Sequence, residues 1–232
     1  MARTGRVDEA IQGIVERIVD GSFVVNEALP AEAELAQLLD VSRPTMREAV
    51  RSLSDGGVLK VRHGRGTYLA PRDQWRHLPT LIAVVARTTS PLELGIQLTQ
   101  VRRMIEVGAA GLAAENRTED DLQRMAKLLD EFDRAHAIQD DERLVAHDIA
   151  YHEAILHASG NPFLASIMQP LSEALFRSRR VTTSSSDVRS RAQEHHRNIF
   201  DKIQAGDAAG AKEAMRAHMT QTHDDIVRLG NA

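Results

Sequence analysis

Four residues that can bind a metal ion interrupt apolar helix faces in the C-terminal half of the sequence. Asp148 and His152, in the segment HDIAYHEAIL (147–156), are four residues apart, so both side chains leave the same face of one helix. His196 and His218 lie on two further apolar stripes downstream. Three imidazoles and one carboxylate that converge in a helical bundle would suit a borderline divalent ion such as Zn²⁺ or Ni²⁺, with open positions for water or a ligand.

The same residues also fit an ordinary protein core. A single inward histidine is more often a hydrogen-bonded core residue than a metal ligand. A buried aspartate without a counter-charge is costly, however, and this favours a cation nearby. Spacing along the chain does not show whether the three helices meet, so both interpretations stay open on spacing alone.

The composition is that of a globular protein with an aliphatic core. The chain has 232 residues, of which 42% are hydrophobic, 27% are charged and only 3% are aromatic. These values predict one large or two smaller domains, with cores built from Leu, Ile, Val, Ala and Met. The absence of cysteine excludes disulfides, thiolate metal sites and a cysteine nucleophile, and it is typical of a reducing compartment.

No segment has the character of a membrane anchor. The N-terminal residues MARTGRVDEA contain no apolar signal region. The longest aliphatic run, LIAVVA at 81–86, is far shorter than the roughly 20 residues that span a bilayer. We therefore expect a cytoplasmic protein without a membrane partner.

Positive charge is concentrated in one segment. From residue 41 to residue 72 the chain has seven Lys or Arg residues against two Asp or Glu residues, a net charge of +5, whereas the whole chain has a net charge of −4. This balance argues against a basic coat over the whole protein. A local basic patch is nevertheless typical of nucleic-acid binding.

The basic segment belongs to a helix-turn-helix pattern that ends in a hairpin. Apolar spacing and capping residues predict helices over residues 7–20, 30–39 and 42–56. Two β-prone runs, VLKVR and TYLAP, are then separated by HGRG. Three helices and a hairpin predict a winged helix-turn-helix domain over residues 1–71.

The remainder of the sequence predicts an all-α bundle. Residues 72–79, in a segment with proline at each end (PRDQWRHLP), are interpreted as a linker. From residue 80 to residue 232 the apolar spacing is helical. It predicts helices near 79–87, 91–116, 118–138, 140–158, 162–180 and 186–229, the last of them broken near Gly206. The predicted fold class is mainly α, with an N-terminal winged helix-turn-helix and a C-terminal helical bundle.

The third helix has the side chains that a helix in the major groove requires. Short polar or cationic residues occupy its first turns, namely Ser42, Arg43, Thr45 and Arg47. At the hairpin tip, Arg65 with His63 and Gly64 could reach a minor groove, because glycine lets the backbone approach phosphates. The alternative is a set of solvated surface charges and a tight turn. The polar helix and the basic hairpin tip occur in this order within a helix-turn-helix pattern, and this favours DNA binding.

These residues also carry a resemblance to a known family. The stretch LPAEAELAQLLDVSRPTMREAVRSLSDGGVLKVRHGRGTYLA (29–70) resembles the winged helix of GntR-type bacterial transcription regulators. Their motif runs LP-x-E-x-ELA, then VSR-x-x-(V/L/M)REA, then a glycine-rich wing. The resemblance implies that DNA is contacted by Ser42, Arg43, Thr45 and Arg47 in the recognition helix and by His63 and Gly64 in the wing. The family usually has arginine where this chain has Ala33, so one usual contact to DNA is missing.

The C-terminal half, from about residue 80 to residue 228, resembles the effector domain of the FadR subgroup of that family. Metal-bearing members have D-x-x-x-H and two later histidines, a pattern that HDIAYHEAIL, EHHRNIFDKI and AMRAHMTQT match. The resemblance implies that the metal ligands are Asp148, His152, His196 and His218. The family pattern R-x-x-x-E matches Arg102 to Glu106, and it implies that Arg102 helps to hold the carboxylate of an effector. The alternative for Arg102 is a simple surface pair with Glu106.

The resemblance implies a ligand-responsive repressor of transcription that binds a two-fold double-stranded DNA operator as a homodimer. The stretch LAPRDQWRHLPT (69–80) is similar to regulators of galactonate-type sugar-acid operons, so a sugar acid is the favoured effector, with lactate or a dicarboxylate as alternatives. Two other classes stay open: a metal-responsive sensor, and a metal-dependent enzyme in which the ion activates water. No general base such as a Glu beside the ligands is evident, and this disfavours the enzyme.

Overall fold

A computed structural model of the chain describes residues 3–183 and 185–230, except for the side chains of residues 3, 4 and 180–183. The chain divides into two compact units, Met1–Thr88 (unit 1) and Thr89–Ala232 (unit 2). Unit 1 is a winged helix-turn-helix and unit 2 is a helical bundle, which confirms the predicted fold class.

The core of unit 1 contains buried side chains from its helices and from its hairpin. The described elements are α1 (Arg3–Val19), α2 (Glu32–Leu38), α3 (Arg43–Asp55), β1 (Leu59–Arg62), β2 (Gly66–Leu69) and α4 (Leu78–Thr88). The two strands are antiparallel and pair Leu59 with Leu69. Ile14 of α1, Leu35 of α2 and Met46 of α3 are fully buried in one cluster. The apolar residues that recur every three to four positions thus face a shared interior.

Helix α3 has a polar residue at its N-terminal cap, and the turn after its C-terminal end requires glycine at position 57. The side chain of Ser42 accepts a hydrogen bond from the backbone N–H of Thr45 (3.2 Å). Gly57 has a φ of +73°, and a Cβ at this position would lie 2.4 Å from the carbonyl oxygen of Gln74. Only glycine fits, because the backbone is left-handed and another backbone segment passes against it.

The segment interpreted as a linker, residues 72–79, packs on unit 1. The indole of Trp75 is buried in the unit 1 core, and its Nε1–H donates to the carbonyl oxygen of Ala70 (2.8 Å). Helix α4 then packs on α1. The division between the units falls after Thr88, because both Trp75 and helix α4 pack on unit 1.

Unit 2 is built around one long helix. Its described helices are α5 (Pro91–Asn116), α6 (Glu119–Ala137), α7 (Asp141–Ala158), α8 (Pro162–Met168), α9 (Ser172–Thr183), α10 (Ser186–Gln204) and α11 (Ala208–Gly230). Helix α5 packs along α11 and also contacts α7, α9 and α10. Ala110 and Ala113 of α5 share a buried cluster with Ala211 and Ala214 of α11, so the two helices can approach closely. None of the described helices combines the length and the apolar composition that a membrane-spanning segment requires.

Two interruptions divide the second half of unit 2. The break between α10 and α11 occurs at Gly206 (φ +72°), as predicted. The single helix predicted over 162–180 is wrong, since α8 ends at Met168 and a 3₁₀ turn, Gln169–Leu171, precedes α9. Pro170 explains the break, because proline has no backbone N–H to donate and its ring clashes with the preceding turn.

Candidate functional site

The predicted DNA-contacting residues lie at two places on unit 1, the start of α3 and the hairpin tip. At the start of α3 the hydroxyls of Ser42 and Thr45 are 2.7 Å apart. Arg43 is exposed beside them, whereas Met46 and Val50 are buried on the other side of the helix. Packing therefore directs the apolar side of α3 into the core and leaves its polar side at the surface.

Arg47 is held by an acidic residue of α2. Its Nε lies 3.2 Å from Oε2 of Glu32, and 75% of its side chain is exposed. A surface ion pair of this kind contributes about 0–1 kcal/mol, so a phosphate group can replace Glu32 at little cost. Ala33 is half-buried next to Glu32, so α2 has no cation where the family usually has one.

The hairpin tip is glycine-containing and basic. Gly64 has a φ of +70°, a conformation that glycine adopts without strain. His63 and Arg65 are exposed on either side of it. The hydroxyl of Tyr68 donates to the carbonyl oxygen of Arg65 (3.0 Å), and the guanidinium of Arg62 lies 4.4 Å from the centre of the Tyr68 ring. Tyr68, which sequence analysis did not identify, thus stabilises the tip.

Three imidazoles predicted as metal ligands meet in the interior of unit 2. Nε2 of His218 on α11 lies 3.3 Å from Nε2 of His196 on α10 and 3.3 Å from Nε2 of His152 on α7. The ligand atoms of these residues all lie within 4.8 Å of one another, and the three side chains are buried. Helices that are distant in the sequence therefore bring like groups to one point, here named the histidine cluster.

Asp148, the fourth predicted ligand, faces the histidine cluster from one turn before His152 on α7. Its Oδ1 is 3.3 Å from Nε2 of His196 and 4.0 Å from Nε2 of His152. Its Oδ2 pairs with the guanidinium of Arg179 on α9. One carboxylate thus contacts imidazoles on one side and a buried arginine on the other.

Glu106 connects His152 to Arg102. Oε2 of Glu106 lies 2.6 Å from Nδ1 of His152. Arg102 donates to both oxygens of the same carboxylate, from Nε (2.7 Å) and from Nη2 (3.3 Å). The side chain of Arg102 is 3% exposed and that of Glu106 is 2% exposed, so the alternative of a surface pair is excluded.

Burial keeps the three imidazoles neutral. Removal from water lowers the pKa of His152, and it lowers the pKa of His196 and His218 well below the ordinary value. Burial would raise the pKa of the Glu106 carboxyl, but the adjacent Arg102 and His152 hold this pKa below its ordinary range. At neutral pH Glu106 is therefore a carboxylate that can accept the Nδ1–H of His152.

Hydrogen bonds cannot account for every close contact within the histidine cluster. When Nδ1–H of His152 is donated to Glu106, Nε2 of His152 presents a lone pair to the other imidazoles. Nε2 of His218 has either one proton or one lone pair, so it cannot form good hydrogen bonds to both of its neighbours. A cation at this point would accept lone pairs from the three nitrogens and from Asp148. The donor set therefore fits a metal ion.

Two cavities border the histidine cluster. The inner cavity, of about 40 Å³, is lined in part by Arg102, Asp148, Arg179 and His218. The outer cavity, of about 270 Å³, lies among α7, α8 and α9 and reaches His152 and Arg179. The inner cavity has room for a single small group, and the outer cavity has room for a small organic molecule.

A winged helix-turn-helix followed by a helical unit with a buried polar site is typical of a DNA-binding regulator with an effector domain. Residues 6–69 match the profile of "Bacterial regulatory proteins, gntR family", and residues 97–221 match the profile of the "FCD domain". The chain belongs to the gntR family of bacterial regulatory proteins, and its C-terminal domain is an FCD domain, the FadR-type effector domain.

Relatives and a solved structure agree with this assignment. The chain is 33% identical over 212 residues to the HTH-type transcriptional regulator LutR of Bacillus subtilis (strain 168), covering 89% of this chain and 94% of the relative. It is 32% identical over 213 residues to the galactonate operon transcriptional repressor of Escherichia coli (strain K12), covering 90% and 91%. The structure of Streptococcus agalactiae GntR is similar (TM-score 0.55, 28% identity, covering 94% and 99%). The relatives are named as transcription regulators rather than enzymes, and this chain is a ligand-responsive transcription regulator.

Three contacts within the site were not predicted from the sequence. Glu106 lies four residues after Arg102 on the buried stripe of α5, a spacing that could have placed both in the interior. The hydroxyl of Tyr151 donates to the carbonyl oxygen of His196 (2.8 Å), and Arg179 pairs with a proposed ligand. No local signal identifies these two contacts, because each joins separate helices.

Arg47→Ala is expected to weaken binding to operator DNA by about 1–3 kcal/mol, because it removes a cationic contact from the recognition helix. Thermal stability should change little, since the pair with Glu32 is exposed. Fluorescence anisotropy of a labelled duplex measures the first effect, and calorimetry measures the second. Arg51→Ala, at another exposed arginine of α3, is the control. A folded Arg47 variant with unchanged DNA affinity would contradict the assignment.

Glu106→Gln is expected to lower the free energy of unfolding by roughly 3 kcal/mol, because it leaves Arg102 buried without a counter-charge. Urea denaturation followed by circular dichroism measures the change. Glu115→Gln, at an exposed position of the same helix, should have little effect. Equal stability of the two variants would show that the buried pair is not required.

Proposed function

We propose that the protein is a repressor that binds a metal ion in unit 2 and releases its operator when a small carboxylate binds beside that ion. The supporting observation is the convergence of three neutral imidazoles and one carboxylate next to a cavity that three arginines line. A sugar acid is the favoured effector.

The proposed metal ligands are Asp148, His152, His196 and His218. A donor set of nitrogen and oxygen suits a borderline divalent ion, and we favour Zn²⁺ or Ni²⁺. When bound, the ion would supply a Lewis-acidic anchor for an anion. Glu106 holds the Nδ1 side of His152 and so directs its Nε2 lone pair into the cluster, while Arg102 fixes Glu106.

The proposed effector site includes the inner cavity, which both Arg102 and Arg179 line. A carboxylate there would be close to a guanidinium, the side chain that binds carboxylates best. The relative from Escherichia coli is named a galactonate operon repressor, and this name supports a sugar acid. Lactate and dicarboxylates are the alternatives.

Unit 1 would bind the operator through α3 and the wing. The proposed contacts are Ser42, Arg43, Thr45, Arg47, His63, Gly64 and Arg65. A two-fold operator requires two copies of unit 1, so we propose a homodimer whose symmetry the operator shares. Because its target is the chromosome, the protein would act in the cytoplasm.

A metal-responsive sensor is the second candidate function. The ion pair between Asp148 and Arg179 favours it, because a cation that binds Asp148 would compete with Arg179 and could move α9 without any organic ligand. An enzyme is not a candidate. Glu106, the carboxylate beside the cluster, is engaged by His152 and Arg102, so it is not an available general base.

The function is tested by fluorescence anisotropy with a duplex from the DNA immediately upstream of the gene, at about 150 mM salt because phosphate contacts depend on salt. Zinc-loaded protein is titrated onto the duplex and then challenged with D-galactonate, L-lactate or succinate. We expect tight binding that D-galactonate reverses. Binding that resists all three acids but is lost reversibly with a chelator would favour the metal sensor. Binding that resists both treatments would contradict both proposals.

His152→Ala combined with His196→Ala is expected to abolish stoichiometric metal, because two of four donors are lost. The measurement is metal content by mass spectrometry after dialysis against Zn²⁺, for which the wild-type protein should retain one ion per chain. His147→Ala combined with His223→Ala removes two histidines of α7 and α11 that lie outside the cluster, and it should retain the ion. If the variant that lacks His152 and His196 retains the ion, the proposed set of metal ligands is wrong.

A further inference from the structure

Arg179 occupies a position between the two cavities of unit 2. Its side chain is 8% exposed and pairs with Oδ2 of Asp148. Among the described residues, Arg179 is the only one that lines both the inner and the outer cavity. It is also the only lysine or arginine among the described residues that line the outer cavity. An anion that enters from the outer cavity would therefore meet Arg179.

The charges around the histidine cluster leave a deficit of negative charge once a divalent cation is present. Arg102 and Arg179 are balanced by Glu106 and Asp148. The other two charged residues that line the inner cavity, Arg189 and Asp225, pair with Asp141 and Arg191. These pairs therefore leave no excess of negative charge while the imidazoles are neutral. A divalent ion would add two positive charges in an interior where uncompensated charge is costly. A bound anion is the natural counter-charge.

Arg102 and Arg179 differ in how firmly their carboxylate partners hold them. Arg102 makes two hydrogen bonds to Glu106, which is not one of the proposed metal ligands. Arg179 pairs with Asp148, whose other oxygen faces the cluster, so a metal ion would share the charge of that carboxylate. Metal binding would therefore weaken the counter-charge of Arg179 more than that of Arg102.

The outer cavity offers hydrogen-bonding groups for the rest of such a ligand. Its polar lining beyond Arg179 includes residues of α7, the 3₁₀ turn, α8 and α9, namely Glu153, His157, Ser166, Gln169 and Ser172. Carboxylate, imidazole, amide and hydroxyl groups match the donors and acceptors of alcohols. The volume of about 270 Å³ suits a molecule larger than a three-carbon acid.

We propose that Arg179 binds the carboxylate of the effector and that the hydroxylated chain of the acid lies in the outer cavity. This inference rests on the proposed metal-dependent repressor and names a residue and a subsite for it. Arg102 then acts on the cluster as a positioning residue through Glu106. Because Arg179 belongs to α9, the exchange of Asp148 for a ligand carboxylate would act directly on that helix.

The test compares Arg179→Gln with Arg177→Gln, a substitution on the same helix at a side chain that is 60% exposed and pairs with Glu173. Zinc affinity is measured by competition with a chelating dye, and D-galactonate binding to the zinc-loaded protein is measured by calorimetry. Arg179→Gln should retain one zinc per chain but bind D-galactonate roughly tenfold to a hundredfold more weakly, since it loses a charged hydrogen bond. Arg177→Gln should match the wild type in both measurements.

Two further variants test separately the positive charge at position 179 and the free volume of the outer cavity. Arg179→Lys keeps the cation and should recover part of the affinity for D-galactonate. Ala165→Phe fills the outer cavity from α8 and replaces no proposed metal ligand, so it should block D-galactonate and leave zinc affinity unchanged. Unchanged binding of D-galactonate by Ala165→Phe would overturn the placement of the chain in the outer cavity.

The outcomes distinguish failure of this inference from failure of the proposed function. If Arg179→Gln loses zinc, or binds D-galactonate as tightly as the wild type does, Arg179 is not the carboxylate-binding residue, and the repressor proposal stands. If the zinc-loaded wild-type protein binds no D-galactonate, or the wild type binds no zinc, the proposed effector or metal site is wrong, and this inference fails with it.

Discussion

The compensation of buried charge is the constraint on which unit 2 depends. Arg102 with Glu106, and Arg179 with Asp148, place four charged groups in an interior that also has three neutral imidazoles. An uncompensated charge at such a depth would cost several kcal/mol. The helices that carry these residues must therefore keep each charge beside its partner, so apolar packing alone does not set their positions.

This constraint also gives the site a way to respond to a ligand. The packing of α5 against α11 relies on small alanines and tolerates little displacement. The ion pair that joins α7 to α9, by contrast, uses a carboxylate that also faces the histidine cluster. A change in the partner of Asp148 would therefore act on the contact between α7 and α9 before it acts on the core.

The ion pair between α2 and α3 of unit 1 differs from those of unit 2, because it lies at the surface. Arg47 and Glu32 are exposed, so their pair is weak and a phosphate can replace it. The stability of unit 1 comes instead from buried apolar residues such as Ile14, Leu35 and Met46. The side chains proposed to contact DNA can consequently change partners without loss of the fold, whereas the buried pairs of unit 2 cannot be broken at so small a cost.

The sequence alone determined the elements and the residue types. Apolar periodicity and caps predicted the winged helix-turn-helix, most helices of the bundle and the break at Gly206, because these features depend on neighbours along the chain. The break at Pro170 was local too, and it was missed. Residue types and a family resemblance singled out the four proposed ligands. Tertiary structure decided that His152, His196 and His218 meet, that Glu106 supports His152, and that Arg179 lies between two cavities. These contacts join helices far apart in the sequence, and their geometry follows from long-range packing that no local pattern contains.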